Sequence, residues 1–389
     1  MEQFDIAIIG AGPAGTYAAY EAAKKGLSTV VFEEHEKIGE PVHCGECLSA
    51  LSCKRLELEL PQEVISMKVK GIRLIFPGKR GVFLEEPGYV LEKHKFEQHL
   101  ASLGQEKEAV YKLKHRVSGM KKDNGGWQIS TTQGEYFAKI AIDASGVAGA
   151  ASKFLSLNPE PKKVIGLQFE MSPIESDGFI KFFLWPKLAP HGYLWIIPKN
   201  NERANVGLVT NDAPSTRKYL EQFIDEYGLQ EKKKTKAFGG FIPASGPVKN
   251  TFSDGIMLIG DAAGFTSPMF EGGTSLAMAS GKFAAQVATE AIAKADTSKA
   301  VLSRYELLWK AEFPVYSKLI EAKNALYNFT DAELDKIASF IPQNLTNMTP
   351  FGKAKVGAKV ILNAPSLLLK GFVPAMNALS YSRAEFYGW

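Results

Sequence analysis

The stretch that decides the fold reads FDIAIIGAGPAG and runs from Phe4 to Gly15. An apolar run leads into a GxGxxG turn, and an alanine-rich segment with helical character follows directly. In this setting Gly10 permits a tight turn, Gly12 lets the main chain approach a pyrophosphate, and Gly15 lets helix and strand pack closely. The free N–H groups at the start of the helix then face the anion. The stretch predicts a dinucleotide site at one edge of a parallel sheet.

A second apolar run supports this interpretation. Residues 28–32 have strand character and end at Glu33. An acidic residue about 20 positions beyond the glycine motif accepts a hydrogen bond from a ribose 2′-hydroxyl. Strand, turn, helix and acid therefore predict a dinucleotide with a free ribose hydroxyl, either FAD or NAD.

Composition and charge limit the class of protein. The 389 residues are 45% hydrophobic and 23% charged, which is typical of a globular protein with two or three domains. A net charge of +4, without a long basic block, argues against a nucleic-acid partner. The first strand begins near residue 4, and no uncharged apolar run reaches about 18 residues. We expect a cytoplasmic protein, either soluble or peripheral on the inner face of the cell membrane.

All three cysteines, Cys44, Cys47 and Cys53, fall in or near a polar loop that follows the second strand. Loops at the carboxyl ends of parallel strands form the ligand crevice, so this loop is expected to lie along the cofactor. The CxxC pair is also compatible with a redox pair or with half of a zinc site. No second CxxC and no histidine pair accompanies it, so no metal is predicted.

The chain divides into three regions by pattern. Residues 1–160 and 253–294 are predicted to form a discontinuous nucleotide-binding domain, because an apolar strand with a GDAAG turn returns at 255–264. Residues 161–252 contain successive strand-like runs, which are typical of an antiparallel sheet. Residues 295–389 are predicted to be helical. The apolar, lysine-containing stretch 356–379 is compatible with a helix on a bilayer surface and equally with a lid over the active site.

Aromatic side chains are dense in the predicted antiparallel sheet. If one face of that sheet covers the cofactor, Tyr193 and Trp195 could line an apolar substrate pocket, with core packing as the alternative. Asp261, at a strand end beside a glycine-rich turn, is suited to accept a sugar hydroxyl. The amides of residues 272–274 begin another helix and can face an anionic ring edge.

The ordered motifs resemble those of the two-domain flavoproteins that include aromatic hydroxylases, flavin halogenases and geranylgeranyl reductases. Three stretches are similar to the geranylgeranyl reductase branch, which saturates isoprenoid chains of archaeal membrane lipids: PVHCGECLS at 41–49, GYVLEKHKF at 88–96 and YLWIIPK at 193–199. The resemblance implies an α/β fold. It consists of a Rossmann-like FAD-binding domain, an inserted antiparallel-sheet substrate domain and a C-terminal helical region.

The resemblance also implies which residues contact FAD. Besides Gly10 and Gly12 of the glycine motif, the contacts fall on Ala14, Gly15, Glu33, Cys44, Gly45, Cys47, Lys93, Val117, Asp261, Gly273 and Thr274. This chain departs from the branch at three places. Cys47 replaces a glycine, Lys93 replaces an arginine, and an EGGT sequence beginning at Glu271 stands where GGGI is common.

The implied reaction is transfer of a hydride from flavin N5 to an isoprenoid alkene, with a proton added to the other carbon. Tyr193 and Trp195 would stabilise cationic character at the tertiary carbon, and Cys44 or a water would supply the proton. For Cys44, packing against the flavin is the alternative. No second GxGxxG follows a strand, so an external donor is expected, either NAD(P)H or a ferredoxin-like protein. The alternatives are an FAD monooxygenase or halogenase-like enzyme acting on an apolar substrate, and a non-redox isoprenoid-binding or cyclase flavoprotein.

Overall fold

The computed structural model describes residues 1–123, 125–381, 383–387 and 389. In chain order the strands are β1 (Glu2–Ile9), β2 (Thr29–Phe32), β3 (Cys47–Ser49), β4 (Ile65–Val69), β5 (Gly71–Ile75), β6 (Gly81–Leu84), β7 (Gly88–Leu91), β8 (Val110–Lys112), β9 (Val117–Asp123), β10 (Gly126–Thr131), β11 (Gly134–Asp143), β12 (Lys163–Ser172), β13 (Phe179–Phe183), β14 (Tyr193–Pro198), β15 (Ala204–Thr210), β16 (Lys233–Pro243), β17 (Phe252–Ser253) and β18 (Ile256–Leu258).

The helices of the described residues alternate with these strands up to residue 293 and then follow one another. They are α1 (Pro13–Ala23), α2 (Ala50–Arg55), α3 (Lys93–Gln105), α4 (Ala150–Leu155), α5 (Thr216–Glu226), α6 (Thr274–Ala293), α7 (Lys299–Leu302), α8 (Arg304–Glu312), α9 (Tyr316–Tyr327), α10 (Asp331–Phe340), α11 (Pro350–Asn363), α12 (Ser366–Leu369) and α13 (Phe372–Tyr381).

The first sheet is parallel at its centre, as the sequence predicts. Its strand order is β17-β18-β11-β1-β2-β8, and the pairs from β18 to β8 are all parallel. Ile8 of β1 pairs with Val31 on one side and Ile142 on the other. All three side chains are buried, because helices cover such a sheet and leave its strands apolar on both faces. Helix α1 packs on both α3 and α6.

The second sheet has the order β16-β12-β15-β14-β13-β5-β6 and is antiparallel except where β13 meets β5. Successive side chains of a strand point to opposite faces. In β14, Tyr193 and Trp195 therefore join the apolar cluster that includes the C-terminal helices, whereas Leu194 and Ile196 join the cluster with α5. Each face of this sheet is covered by a different set of helices.

Two strands of the second sheet come from an unexpected part of the chain. β5 and β6 lie within residues 1–160, yet they extend the sheet predicted for residues 161–252. The parallel pairing of β5 with β13 satisfies the backbone groups of a strand that would otherwise be an exposed edge. A small third sheet, in the order β3-β7-β4, carries the CxxC loop.

The C-terminal helices cover the side of the second sheet that carries Tyr193. The apolar stretch 356–379 is divided among three helices rather than forming one. The breaks fall at Pro365 and at Gly371, whose φ of +95° favours glycine. Across the part of the chain that the structure describes, no helix is both long and apolar enough to cross a membrane.

Candidate active site

The glycine turn between β1 and α1 has the geometry of a dinucleotide cradle. Gly10 has φ +101°, and a Cβ there would lie 2.5 Å from the carbonyl oxygen of Ala144. A Cβ at Gly15 would lie 2.0 Å from the carbonyl oxygen of Gly10. A Cβ at Gly12, by contrast, would meet nothing within 4 Å. Two glycines are thus required by packing, while Gly12 borders free space in front of the helix N-terminus, where a pyrophosphate fits.

Glu33 lies directly beside this turn. Its Oε2 accepts a hydrogen bond of 2.9 Å from the Ala11 amide, and its Oε1 accepts one of 2.9 Å from the His35 amide. The His35 ring nitrogen Nδ1 is 2.6 Å from the same Oε1. These contacts fix the carboxylate at the end of β2 next to the glycine turn, which is where a ribose-binding acid belongs.

A second chain segment closes on the start of α1. A Cβ at Gly260 would lie 3.0 Å from the Cβ of Ala14, so the GDAAG turn packs against the first helix. Asp261 Oδ1 accepts a 2.6 Å hydrogen bond from the Thr266 hydroxyl. A Cβ on Gly273 would lie 3.6 Å from the same Oδ1. Burial raises the pKa of Asp261, although the Thr266 hydroxyl and a nearby lysine act in the opposite direction.

Lys93, at the start of α3, connects to the segment that begins α6. Its Nζ is 3.2 Å from Glu97 Oε1 and donates to the Thr274 hydroxyl at 3.5 Å. Burial by itself lowers the pKa of Lys93, but Glu97, Cys44 and Glu46 together outweigh burial and the net change is upward. Lys93 is therefore a buried cation beside the N-terminus of α6. Val117 is buried at the start of β9.

The CxxC loop is tied to the second sheet through one glutamine. Gln168 Nε2 donates to the carbonyl oxygen of Cys44 at 2.8 Å, and Gln168 Oε1 accepts from Trp195 Nε1 at 3.0 Å. The Cys44 sulfur accepts a hydrogen bond from the Glu46 amide at 3.2 Å. The sequence placed Cys44 and Trp195 in one site, but it gave no sign of the glutamine that connects them.

All three cysteines are free thiols, and the two in the CxxC motif have different surroundings. Burial raises the pKa of Cys47 well above its usual value, and the neighbouring Cys44 adds to this effect. The Cys47 thiol donates to the carbonyl oxygen of Gly45 at 3.6 Å. Cys47 therefore remains protonated at neutral pH.

An aromatic cluster lies next to this loop. The Tyr193 hydroxyl donates to the carbonyl oxygen of Phe270 at 2.7 Å, and the Tyr193 ring centroid is 5.6 Å from that of Trp195. A Cβ on Gly45 would lie 3.1 Å from the Ile197 side chain, which is on the same face of β14. The structure thus brings the CxxC loop and both predicted aromatic residues to one side of the sheet.

A buried charge network joins the loop to the sheet. Glu46 Oε2 accepts from Lys199 Nζ at 2.7 Å and from Asn205 Nδ2 at 2.6 Å. Glu46 Oε1 accepts from the Lys93 amide at 3.1 Å, and Lys199 also contacts Glu92 at 3.2 Å. The sequence did not predict that Glu46, Lys199, Asn205 and Glu92 would contact one another. Glu46 and Lys199 each stand in a motif that resembles the family, but they are 153 positions apart in the chain.

Arg203 extends this network to the second sheet. It contacts Glu92 at 2.7 Å and Glu170 at 2.9 Å. Burial raises the pKa of Glu92, but Lys199, the Ser66 hydroxyl and Arg203 together lower it from 4.5 to about 2. Glu92 is thus ionised at any physiological pH, and it holds in place two cations of the turn between β14 and β15, Lys199 and Arg203.

A further ion pair ties the C-terminal helices to the loop before α6. Glu271 Oε1 lies 2.7 Å from Lys323 Nζ of α9, and both side chains are largely buried. Burial raises the pKa of Glu271, while Lys323 acts against it. Glu271, one of the positions where this chain departs from the branch, therefore anchors α9 beside the segment predicted to contact FAD.

The fold and the glycine cradle define a dinucleotide-binding protein, and two family models make it an FAD-dependent oxidoreductase. A family model for FAD-dependent oxidoreductases matches residues 5–153, and one for the geranylgeranyl reductase catalytic domain matches residues 163–241. The chain belongs to the geranylgeranyl reductase family. The family, the α/β fold and the FAD cofactor predicted from the sequence are therefore confirmed.

Individual relatives support the family assignment. A digeranylgeranylglycerophospholipid reductase of Methanococcus vannielii is 31% identical over 94% of this chain and 97% of its own. The enzyme of the same name from Methanocaldococcus jannaschii is 32% identical over 94% and 96%. A geranylgeranyl bacteriochlorophyll reductase-like protein of Thermoplasma acidophilum superposes with TM-score 0.86 at 31% identity, over 95% of this chain and 98% of that one. The flavin-dependent brominase Bmp2 shares the fold, with TM-score 0.72 and 19% identity.

Proposed function

We propose that this enzyme saturates C=C bonds in the geranylgeranyl chains of membrane glycerophospholipids or their precursors. Full-length relatives with this activity in their names support the proposal. The observation that carries it is the position of the aromatic face. Tyr193 and Trp195 lie in an apolar cluster adjacent to the CxxC loop, so an extended hydrocarbon chain would be held beside the cofactor crevice.

Reduced FAD, when bound, supplies the hydride for one alkene carbon, and a proton adds to the other. An unactivated alkene accepts hydride poorly unless positive charge at the tertiary carbon is stabilised. The rings of Tyr193 and Trp195 provide this by cation–π attraction, worth about 0.5–2 kcal/mol each. Hydrogen bonds to Phe270 and Gln168 fix the orientation of the two rings before substrate arrives.

We assign the proton to Cys44. Its sulfur accepts the Glu46 amide N–H, and it interacts electrostatically with the Lys93 ammonium group. The amide N–H holds the Cys44 sulfur at a defined position in the loop. Cys47 lacks this arrangement, because burial raises its pKa and its thiol donates to a carbonyl oxygen. The two cysteines thus form a matched pair for mutagenesis.

The remaining predicted site residues are assigned to FAD binding. The glycine turn would hold the pyrophosphate and Glu33 a ribose hydroxyl, while Asp261 would accept hydroxyls of the ribityl chain. The N-terminus of α6 would face the anionic edge of the flavin. The other proposed contacts are Ala14, Gly45, Cys47, Lys93, Val117, Gly273 and Thr274.

Two partners complete the proposal. The electrons come from an external donor, either NAD(P)H or a ferredoxin-like protein, and anaerobic reduction of the bound flavin by each will distinguish them. The lipid substrate places the enzyme at the inner face of the cell membrane as a peripheral protein.

The three regions of the chain have different proposed roles. Residues 1–160 with 253–294 bind FAD, residues 161–252 receive the substrate, and residues 295–389 cover the substrate.

The reaction itself is tested by mass spectrometry of the product. Dithionite-reduced enzyme is incubated without oxygen with a detergent-dispersed digeranylgeranyl glycerophospholipid. Each saturated bond adds two hydrogens to the substrate mass. A second incubation is carried out with oxygen and halide present. A product that gains oxygen or halide in this second incubation would favour a monooxygenase or halogenase. A product of unchanged mass but different retention would favour a cyclase. Either result would refute the reductase.

The role of Cys44 is tested with the same assay. Cys44→Ser is expected to lower turnover while flavin remains bound, because a serine hydroxyl is a far weaker acid than a thiol. Cys47→Ser is the comparison: it keeps a side chain of similar size at a proposed FAD contact, so it should keep its flavin and lose much less turnover than Cys44→Ser. Equal losses in both variants would assign the pair to packing of the loop rather than to proton transfer.

A further inference from the structure

The outer surface of helices α11, α12 and α13 exposes large apolar side chains. Phe351 and Leu362 are each 80% exposed and Leu369 is 92% exposed. Ile361 and Val373, between and beside them, are more than half exposed. Soluble proteins rarely leave such a group of apolar side chains in water unless another molecule covers it. We call these five residues the α11–α13 surface.

Helix α11 carries apolar side chains on two opposite faces. Phe351, Lys355 and Leu362 are spaced four and seven residues apart, so they share one face of the helix. Val356 and Val360 lie on the opposite face and are buried. The helix therefore packs on the protein with one apolar side and presents a second side on which apolar and lysine side chains alternate.

Charge identifies what this surface fits. Residues 350–369, from the start of α11 to the end of α12, contain three lysines and no acidic residue, although the whole chain is nearly balanced at 46 basic and 42 acidic residues. Lys353, Lys355 and Lys359 are exposed on α11 itself. Lysines beside exposed apolar side chains are typical of a helix at an anionic lipid interface. A second copy docked through the same surface would place lysine against lysine.

The inner side of the same helices leads to the proposed substrate pocket. Val360, Leu367 and Phe372 are buried in one apolar cluster with Tyr193 and Trp195. The α11–α13 surface and the aromatic face are thus connected through one continuous cluster of buried apolar side chains, to which α9 and α10 also contribute. A hydrocarbon chain that leaves a bilayer at this surface would reach the aromatic face by passing between helices, without entering water.

We propose that the α11–α13 surface docks on an anionic lipid bilayer and that the isoprenoid chain enters between these helices. The identity of the chain rests on the proposed function, whereas docking does not. The entry route keeps the apolar substrate out of water throughout, and it removes the energetic cost of extracting a lipid before the reaction.

Docking is tested with the FAD-loaded enzyme and vesicles of phosphatidylcholine and phosphatidylglycerol, by flotation. Wild-type enzyme should float with the vesicles, and less so at high salt. The triple variant Phe351→Ser, Leu362→Ser, Leu369→Ser should bind the vesicles at least about tenfold more weakly than wild type. Leu307→Ser is the control, because Leu307 is 70% exposed on α8, outside this surface.

The charge contribution has its own matched pair. Changing Lys353, Lys355 and Lys359 together to Glu should abolish binding to phosphatidylglycerol vesicles, while changing the same three to Arg should preserve it. Flavin content and thermal midpoint confirm that each variant is folded. Equal binding by the triple Glu variant and the triple Arg variant would refute the role of these lysines.

Two results would overturn the proposal. The first is wild-type enzyme that does not float with anionic vesicles. The second is a dimer in solution that the triple serine variant dissociates, which would show that a second copy covers the surface. The proposed reaction is judged separately. With detergent-dispersed substrate, all of these variants should turn over at the wild-type rate. Vesicle binding without any alkene reduction would refute the reaction and leave docking standing.

Discussion

Replacing Glu92 with glutamine tests the charge network that joins the CxxC loop to the second sheet. The side chain keeps its size and loses its charge, so Lys199 and Arg203 lose an anionic partner. The pKa of Glu92 is raised by burial but lowered more by Lys199, Ser66 and Arg203, and it falls from 4.5 to about 2. Only 15% of the side chain is exposed, so water screens these interactions little.

The lowered pKa makes this carboxylate a pH-dependent part of the free energy of unfolding. The folded protein keeps Glu92 ionised at a lower pH than the unfolded chain does. The stabilisation is therefore complete above the unfolded value of 4.5 and is lost as the pH falls towards 2. The difference corresponds to about 3 kcal/mol at pH 7, of which about 2 kcal/mol remains at pH 3.5.

The measurement is urea unfolding of wild-type and Glu92→Gln protein with saturating FAD, followed by tryptophan fluorescence at pH 7 and pH 3.5. The variant should be less stable by about 3 kcal/mol at pH 7, and the gap should narrow by about 1 kcal/mol at the lower pH. The exposed residue Glu63 provides the control, and Glu63→Gln should stay within about 0.5 kcal/mol of wild type at both values. A gap that stays constant or widens in acid would refute the reasoning.

Three further predictions follow from the site. Gly12→Ala should fold with wild-type stability but bind FAD about tenfold more weakly, because its Cβ meets only the space assigned to the pyrophosphate. Gly15→Ala should fail to fold, since its Cβ would collide with backbone. Equal flavin content in the two variants would contradict the different roles of these glycines. Glu33→Ala and Asp261→Ala should each lower flavin content on purification, read from the absorbance ratio. Trp195→Ala should keep its flavin and lose about tenfold in turnover of prenyl substrates, equivalent to about 1.4 kcal/mol; unchanged kinetics would remove it from the pocket.

Local patterns predicted the cofactor half of the molecule well, for a physical reason. A glycine turn, a buried strand and a helix start each depend on residues close together in the chain, and the steric requirement at Gly10 and Gly15 leaves few alternative sequences. The aromatic face of β14 was also foreseeable, because strand side chains alternate with a period of two. Both features appear where the sequence predicts them.

Pairings between distant segments were beyond the sequence. The bond from Gln168 to Cys44 spans 124 residues, and nothing in either neighbourhood signals the other. The same holds for β5, which pairs with β13 across more than 100 residues and moves two strands out of the region predicted for FAD binding. Helix α5 between β15 and β16 was missed, although Leu220, Phe223 and Ile224 show its buried face.

The sequence by itself determined the FAD cofactor, the family and the glycine turn between β1 and α1, because the motifs that carry them depend on short-range backbone geometry. Only the tertiary structure decided how the halves are joined: which acid pairs with Lys199, which residue orients Trp195, and which side of the C-terminal helices faces outward. Such contacts depend on where non-adjacent segments meet. Burial then decides their strength, since a charge or an apolar side chain acts differently in water and inside the protein.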